Sequence, residues 1–213
     1  PSLGRTLVAG GGKIPWQVNH NTALALYRVL RLRMAELARE GCPFCGQVEI
    51  DESYFGPARV RGQRGRGAGR KTPVFSILER GGRVHCQIVK NCSKATLTAI
   101  LLGKVTPQAE ITSDGFPAYH GLVEAGFSRH YRIDKYADPN HPVFAEKGVH
   151  INGIESFWSY AKRRHQKFNG LRNNAFPIFL KETEFRFNNR SNDLYKILLK
   201  SCRLSPLRSP QLW

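Results

Sequence analysis

The chain has 213 residues, 41% of them hydrophobic and 23% charged, which suits one folded core or one core with a small appendage. Lys and Arg number 33 against 16 Asp and Glu, so the formal net charge is +17. Such an excess predicts a polyanionic partner, usually nucleic acid, with a surplus of solubilising cations as the alternative. No apolar run approaches the roughly 18 residues of a membrane span, and we expect no membrane partner.

The N-terminal sequence and the cysteines bear on processing and compartment. The first 20 residues carry Gly and polar residues where a signal peptide would have an apolar segment. The chain begins at Pro1 and its only methionine is Met34, so we expect further sequence upstream. Five cysteines at irregular spacing favour a reducing compartment over a disulfide framework. That compartment would be the cytoplasm and nucleoid of a bacterium or the nucleus of a eukaryote.

Residues 1–40 predict an N-terminal helical segment distinct from the rest. Asn21 and Thr22 are cap-like, and apolar residues recur at helical spacing behind them in NHNTALALYRVLRLRMAELARE. Three arginines lie among these apolar residues: Arg28, Arg31 and Arg33. The helix is therefore either the second helix of a DNA-binding helix-turn-helix or an ordinary packing helix, because the preceding LVAGGGKIPWQ defines no clear first helix.

Residues 46–200 alternate between strand and helix patterns. QVEIDESYFG predicts a strand, PARVRGQRGRGAGRK is a Gly/Arg-rich break, and TPVFSILERGGRVHCQIVKN predicts a hairpin around Gly81 and Gly82. The rest of this region predicts a helix opened by Ser93 and then the strands QAEITSDG and GFSRHYRI. It ends with a loop, ADPNHPVFAEKGVH, and two helices, NGIESFWSYAKRRHQKF and PIFLKETEFRFNN. This order predicts an α/β fold, a mixed sheet covered by helices, with a tail at 201–213.

Three acids fall at the ends of these elements. Asp51 ends the first strand, Asp114 ends the strand ITSDG, and Glu155 lies in the first turn of the long helix. Strand ends in an α/β sheet are where distant residues converge, so the three are candidate partners in one site. Each also has an ordinary interpretation: a solvated strand end, a turn with Gly115, and a capping box with Asn152.

The long helix predicts three distinct faces. Its buried face is apolar and comprises Ile154, Phe157, Trp158, Ala161 and Phe168. A stripe at the edge of that face holds Glu155, Ser159, Lys162 and Gln166. The remaining arc is cationic and holds Arg163, Arg164 and Lys167. A metal-binding carboxylate flanked by phosphate-binding cations would need this layout, and a solvated charged face is the alternative.

Several motifs stand in order along the chain: VEIDESYFG, RGRGAGRKTPVFSILERGGRV, ITSDGFPAY, HINGIESFWSYAKRR, KFNG and EFRFNNR. In these, over about residues 15–200, the sequence resembles the Merlin-like DDE transposases, bacterial insertion-sequence enzymes related to eukaryotic Merlin elements. The resemblance implies an RNase H-like core with Asp51, Asp114 and Glu155 as its acid triad. The lysine that the family keeps two turns after the glutamate falls on Lys162.

The resemblance also implies the reaction, metal-dependent cleavage at element ends and strand transfer into target DNA. Three carboxylates suit two Mg²⁺ or Mn²⁺ ions. The partners would be the terminal inverted repeats and target duplex, bound by a homodimer or larger assembly. The cations expected on the DNA backbone are Lys162, Arg163, Arg164, Lys167, Arg64, Arg66, Arg70 and Lys71. The alternatives are a non-catalytic DNA-binding protein derived from a transposase and an RNase H-like nuclease that cuts without joining.

The C-x-x-C formed by Cys42 and Cys45 is a competing candidate site. A structural zinc needs four ligands, and the remaining cysteines Cys86, Cys92 and Cys202 offer no second C-x-x-C. A redox pair would open a helix after a strand, whereas this pair precedes a strand. We therefore expect the carboxylates to carry the chemistry and no zinc at Cys42 and Cys45. The sequence departs from the family pattern in three respects. GCPFCG is an insert, the first helix of the helix-turn-helix is degraded, and no zinc ribbon stands ahead of it.

Overall fold

The computed structural model describes residues 19–39, 41–56, 71–133, 145–146, 149–168, 171 and 174–207. The helices of this part of the chain are α1 (His20–Leu37), α2 (Lys94–Lys104), α3 (Asn152–Gln166), α4 (Phe176–Asn188) and α5 (Leu194–Leu204). Its strands are β1 (Gln47–Phe55), β2 (Thr72–Glu79), β3 (Val84–Ile88), β4 (Glu110–Asp114), β5 (Arg129–Ile133), β6 (Ala145–Glu146) and β7 (Val149–His150). A short 3-10 turn spans Pro117–Tyr119.

Within the described residues, β1 to β5 form a five-stranded sheet in the order β3-β2-β1-β4-β5. The strands β1, β2 and β3 pair antiparallel, and β4 and β5 continue parallel to β1. The predicted α/β class with an RNase H-like mixed sheet is confirmed. The short pair β6 and β7 lies in the segment predicted as a loop.

Helices cover the sheet on both faces because β1 and β2 bury side chains in both directions. Ile50 and Phe75 pack in a core beneath α2, together with Leu101. Val74 and Phe55 turn to the opposite face and pack in a second core beneath α3 and α4. Asp51 follows Ile50 directly, so strand alternation turns its side chain towards α3.

The open edge of the sheet at β3 is covered by side chains of α4. The Asn188 amide accepts from the N–H of Val84 at 2.7 Å and donates to its carbonyl at 2.9 Å. The Glu184 carboxylate accepts from the N–H of Cys86 at 2.9 Å. These bonds occupy backbone groups that an exposed edge strand would otherwise offer to another chain.

The N-terminal helix packs against the two C-terminal helices. Met34 of α1 is buried against Phe185 of α4 and Leu198 of α5. Two of its three arginines turn inwards: Arg31 pairs with a carboxylate of α4, and Arg33 donates to Ser201 at 3.1 Å. The structure thus favours the packing helix over a DNA-reading one. The first helix of a helix-turn-helix would fall in residues 1–18, outside the described residues.

The boundaries of the terminal helices also differ from the sequence prediction. Asn19 caps α1 by accepting from the N–H of Asn21 at 2.8 Å, in place of the predicted Asn21 or Thr22. At the other end, α5 runs unbroken to Leu204, so the predicted boundary between residues 200 and 201 divides a helix. Searched over the described residues, none of the helices is long and apolar enough to cross a membrane.

Candidate active site

Two of the three predicted acids lie side by side on neighbouring central strands. The parallel register of β1 and β4 pairs Gln47 with Glu110 and Glu49 with Thr112. Two residues further along each strand come Asp51 and Asp114. The paired residues end at Glu49 and Thr112, and strand alternation turns both aspartates to the face that those two residues share, where the charge of Asp114 acts on Asp51.

The Asp51 carboxylate is held in a low-dielectric position under α3. The indole N–H of Trp158 donates to its Oδ2 at 3.0 Å. Burial, and then the charges of Glu52 and Asp114, raise the pKa of Asp51 from 3.8 to about 7. Mutual repulsion of this kind between carboxylates is relieved when a cation binds between them.

The third predicted acid, Glu155, lies on α3 one turn before Trp158, so its helix is attached directly beside Asp51. The described residues include no group of three or more His, Cys, Asp or Glu side chains close enough to hold a metal ion together. The structure therefore brings Asp51 and Asp114 together and seats the helix of Glu155 against them, without a converged set of three ligands among the described side chains.

The capping-box interpretation of Glu155 is wrong. Asn152 is the first residue of α3, and the cap position falls on Ile151, whose side chain makes no capping hydrogen bond. The N–H of Ile154 instead donates at 2.8 Å to Glu49 Oε2, from a strand 105 residues away. Sequence reasoning missed Glu49, although its spacing of two from Asp51 already predicts the same face of β1.

A second buried acid, Glu52, lies behind the aspartate pair on the α2 face of the sheet. The Tyr119 hydroxyl donates to Glu52 Oε2 at 2.6 Å, and the Tyr119 side chain is fully buried. Burial, and then the Glu52 charge, raise the pKa of Tyr119 well above its usual value. The turn that follows Asp114 is thus tied by a charged hydrogen bond to the residue that follows Asp51.

We expect Tyr119→Phe to lower the free energy of unfolding by about 2 kcal/mol, because it removes a hydrogen bond to a buried carboxylate. Urea unfolding at pH 7 measures the change. Tyr195→Phe on α5 is the control, since Tyr195 is 55% exposed and its change should stay within about 0.5 kcal/mol. Equal stability of Tyr119→Phe and wild type would show that the bond contributes nothing.

The predicted DNA-binding cations divide into two groups. Lys162 and Arg163 are exposed on α3, Lys167 is exposed at its C-terminal cap, and Lys71 is exposed just before β2. Arg164 requires correction, because its side chain is 15% exposed and donates to Glu182 at 3.2 Å inside the protein. The remaining predicted residues, Arg64, Arg66 and Arg70, lie outside the described residues.

The C-x-x-C segment is anchored by the residue between its cysteines. Phe44 is buried and forms a bridge with Val105 at the end of α2, while Cys42 and Cys45 are exposed and free. The Cys45 thiol donates to Glu79 at 3.4 Å, and this hydrogen bond and the Glu79 charge raise the pKa of Cys45. A raised thiol pKa disfavours the thiolate that a redox pair requires.

A mixed sheet of this strand order, with three antiparallel strands followed by two parallel ones, is an RNase H-like fold. The sequence pattern of the ISXO2-like transposase domain matches residues 43–188, and the chain belongs to that family. The narrower resemblance to Merlin-like elements stays a prediction.

The chain is also 44% identical over 108 residues to an uncharacterized transposase-like protein of Haemophilus influenzae, a match covering 50% of this chain and 82% of the relative. Among solved structures it is similar to the BIV integrase catalytic core, at a TM-score of 0.43 and 13% identity over 74% of this chain and 96% of that one. The structure of the Mos1 transposase catalytic domain and raltegravir with Mn gives a TM-score of 0.34 and 10% identity over 88% of this chain and 98% of that one.

Proposed function

We propose that this chain is a transposase that cuts DNA at the ends of a mobile element and joins the freed 3′ end to target DNA. Asp51, Asp114 and Glu155 are its catalytic acids. The observation that supports this proposal is the pairing of β1 with β4, whose last paired residues, Glu49 and Thr112, each lie two residues before one of the aspartates, so that both aspartates lie on one face of the sheet. Membership of the ISXO2-like transposase family supports it.

The donor chemistry of the pair fits divalent cations. Two aspartates on one face of the sheet supply hard oxygen ligands, which suit Mg²⁺ or Mn²⁺, and Glu155 on the adjoining helix would add a third. Bound ions of this kind lower the pKa of water and neutralise the charge that develops on a phosphate in phosphodiester cleavage. The raised pKa of Asp51 reflects burial and a repulsion between carboxylates that a bound cation would relieve.

The remaining residues hold the carboxylates and the DNA. Trp158 restrains the Asp51 carboxylate through its indole N–H, which limits the orientations available to the other oxygen. Lys162 and Arg163 are exposed on the same helix as Glu155, Lys167 is exposed at its C-terminal cap, and the three would bind the phosphate backbone beside the site. Arg64, Arg66, Arg70 and Lys71 would extend this cationic surface from the Gly/Arg-rich segment.

A joining assay tests the proposal. The protein would be incubated with Mg²⁺ or Mn²⁺, target plasmid and duplexes ending in the inverted repeats that flank its gene. Metal-dependent cleavage at the repeat end followed by joined products supports a transposase. Cleavage without joining would identify a nuclease, and binding without cleavage a non-catalytic DNA-binding protein. Thermal unfolding with Mn²⁺ adds a readout that needs no DNA, since Mn²⁺ should stabilise the wild type more than Asp114→Asn.

We expect Lys162→Ala to slow single-turnover cleavage by about tenfold and to leave DNA affinity nearly unchanged. One positioned phosphate contact near the site contributes about 1.4 kcal/mol to the rate, whereas overall affinity is spread over many cations of a +17 chain. Lys162 lies two turns from Glu155, about 10.5 Å along the helix axis. Lys196→Ala on α5 is the control, because this lysine is exposed and its ion-pair partner is Asp193, at the start of its own helix. Equal cleavage rates for all three proteins would leave Lys162 as a solvated charge.

A further inference from the structure

The start of α3 depends on a group outside the helix. The first N–H groups of a helix have no partner within it and are usually satisfied by a side chain at the cap position. In α3 that position is Ile151, which has no polar side chain and makes no capping bond. Glu155 lies in this same first turn, so whatever satisfies the helix start also sets the position of the third acid.

Glu49 of β1 supplies the missing cap. Its side chain is 1% exposed, and its Oε2 accepts from the N–H of Ile154 at 2.8 Å. Gly153 makes the close approach possible, since a Cβ there would lie 2.9 Å from Glu49 Oε2 and 3.1 Å from Oε1. A carboxylate at a helix start is also favoured by the partial positive charge of the helix N-terminus.

Arg80 completes the arrangement by joining Glu49 to the segment that enters α3. Its Nε donates to Glu49 Oε1 at 3.3 Å, and a terminal nitrogen donates to the carbonyl of His150 at 2.8 Å. Its other terminal nitrogen donates to Gln47 Oε1 at 2.9 Å. The His150 ring also lies near, with Nδ1 at 3.6 Å from Glu49 Oε1. A buried carboxylate is thus compensated by a cation and a helix end together.

The strand and the helix are attached at two matched points. Glu49 accepts a hydrogen bond from the N–H of Ile154, and Asp51 accepts one from the indole N–H of Trp158. Both acceptors lie on one face of β1 and both donors on one side of α3. Two residues of strand span about 6.6 Å and four residues of helix about 6 Å, so the spacings agree. Glu155 lies between Ile154 and Trp158 in the sequence, so the two hydrogen bonds hold its part of α3 against β1, the strand that carries Asp51.

We propose that Glu49 is a positioning residue for the reaction, holding the first turn of α3 so that Glu155 can act with Asp51 and Asp114. Glu49 touches neither DNA nor metal in this role. The inference rests on the proposed function for the part of the reaction that Glu155 performs. The attachment of the helix to Glu49 can be tested without it.

Three variants separate the possibilities. Glu49→Ala removes the cap, Glu49→Gln keeps an oxygen that can accept from Ile154, and Gly153→Ala leaves Glu49 intact but forces the helix start away from it. Glu110→Ala is the matched control, since it removes another strand carboxylate, one whose partner is Arg129 of the neighbouring strand and not the start of α3. The measurements are amide hydrogen exchange at Ile154, Mn²⁺ affinity and single-turnover cleavage.

We expect Glu49→Ala to speed Ile154 exchange at least about tenfold, to weaken Mn²⁺ binding about tenfold and to slow cleavage at least about 30-fold at fixed metal. Part of the lost rate should return at high Mn²⁺, which a global loss of stability would not produce. Glu49→Gln should recover most of the Ile154 protection, and Gly153→Ala should resemble Glu49→Ala. If Glu49→Ala does not fold, Glu49→Gln and Gly153→Ala make the same comparison.

Unchanged Ile154 exchange in Glu49→Ala would overturn the cap itself. Faster exchange with wild-type Mn²⁺ affinity would overturn the positioning role and leave Glu49 as a structural residue. Failure of the proposed function looks different: wild type and Glu110→Ala would both lack cleavage, while the exchange and Mn²⁺ measurements would still decide whether Glu49 positions the acids.

Discussion

Asp51→Asn is expected to abolish DNA cleavage while leaving DNA binding intact or tighter. The variant loses a metal-binding carboxylate at the centre of the sheet but keeps an oxygen that can accept from the Trp158 indole N–H. Removing a negative charge beside the phosphate does not weaken an electrostatically driven complex. Gel-shift binding and single-turnover cleavage on a repeat-end duplex measure the two effects. Glu124→Gln, which neutralises an exposed acid, is the control and should behave as wild type.

The same substitution is expected to stabilise the metal-free protein at neutral pH and above. Burial raises the pKa of Asp51 from 3.8 to about 7, so folding favours its protonated form. That contribution is fully present below about pH 4 and is lost as the pH rises through about 7. Because a tenfold change in a protonation equilibrium corresponds to about 1.4 kcal/mol, Asp51→Asn should exceed wild type in unfolding free energy by up to about 4 kcal/mol at pH 8.

Urea unfolding in chelator at pH 4 and pH 8 measures this difference, which should be small at pH 4 and large at pH 8. Two results would contradict the role of Asp51. A folded variant that binds repeat-end DNA much more weakly would make Asp51 structural. If the difference in unfolding free energy between Asp51→Asn and wild type is the same at pH 4 and pH 8, the Asp51 carboxylate is not desolvated.

Glu182→Ala is expected to destabilise the protein by about 3–5 kcal/mol, because it leaves buried cations without their counter-charge. The Glu182 carboxylate is 3% exposed and accepts from arginines of three helices. They are Arg31 of α1 at 2.8 Å, Arg164 of α3 at 3.2 Å and Arg186 of α4 at 2.9 Å. Without Glu182 these guanidinium groups repel one another in a site of low dielectric.

The matched control is Glu36→Ala, which removes an ion pair with Arg33 within α1. The Glu36 side chain is 63% exposed. Exposed pairs contribute roughly 0–1 kcal/mol, so this variant should unfold close to wild type. Urea unfolding compares the two, and limited proteolysis near residue 39 reports whether α1 detaches first. A cost below about 1 kcal/mol for Glu182→Ala would show that the arginines find other partners.

The Glu182 cluster also changes how the N-terminal helix is understood. Arg31 and Arg164 share the carboxylate of Glu182, so α1 and the helix that carries Glu155 are both bound to the same residue of α4. Arginines within an amphipathic pattern favoured DNA recognition and internal packing equally. Packing decided the matter, because a buried glutamate on α4 pairs with Arg31 of this helix where a solvated helix would have met water.

Periodic patterns in the sequence determined the elements and their buried faces. The hairpin around Gly81 and Gly82, the Ser93 cap of α2 and the apolar face of α3 all follow from residues close together in the chain. Such patterns are local, since backbone geometry repeats every two residues in a strand and every 3.6 in a helix. Asp114 could be singled out for the same reason, because it ends a recognisable strand, whereas the prediction that Asp51 ends the first strand is wrong, since it lies in the middle of β1.

Only the tertiary structure decided which distant groups meet. The register that sets Asp51 beside Asp114, the cap that Glu49 provides for α3, and the burial of Arg164 beside exposed Arg163 each depend on a partner far away in sequence. A local pattern specifies the face on which a side chain lies but not what packs against that face. For a charged residue at the edge of a buried stripe, what packs against that face decides whether the residue forms an internal ion pair or belongs to a surface that can bind DNA.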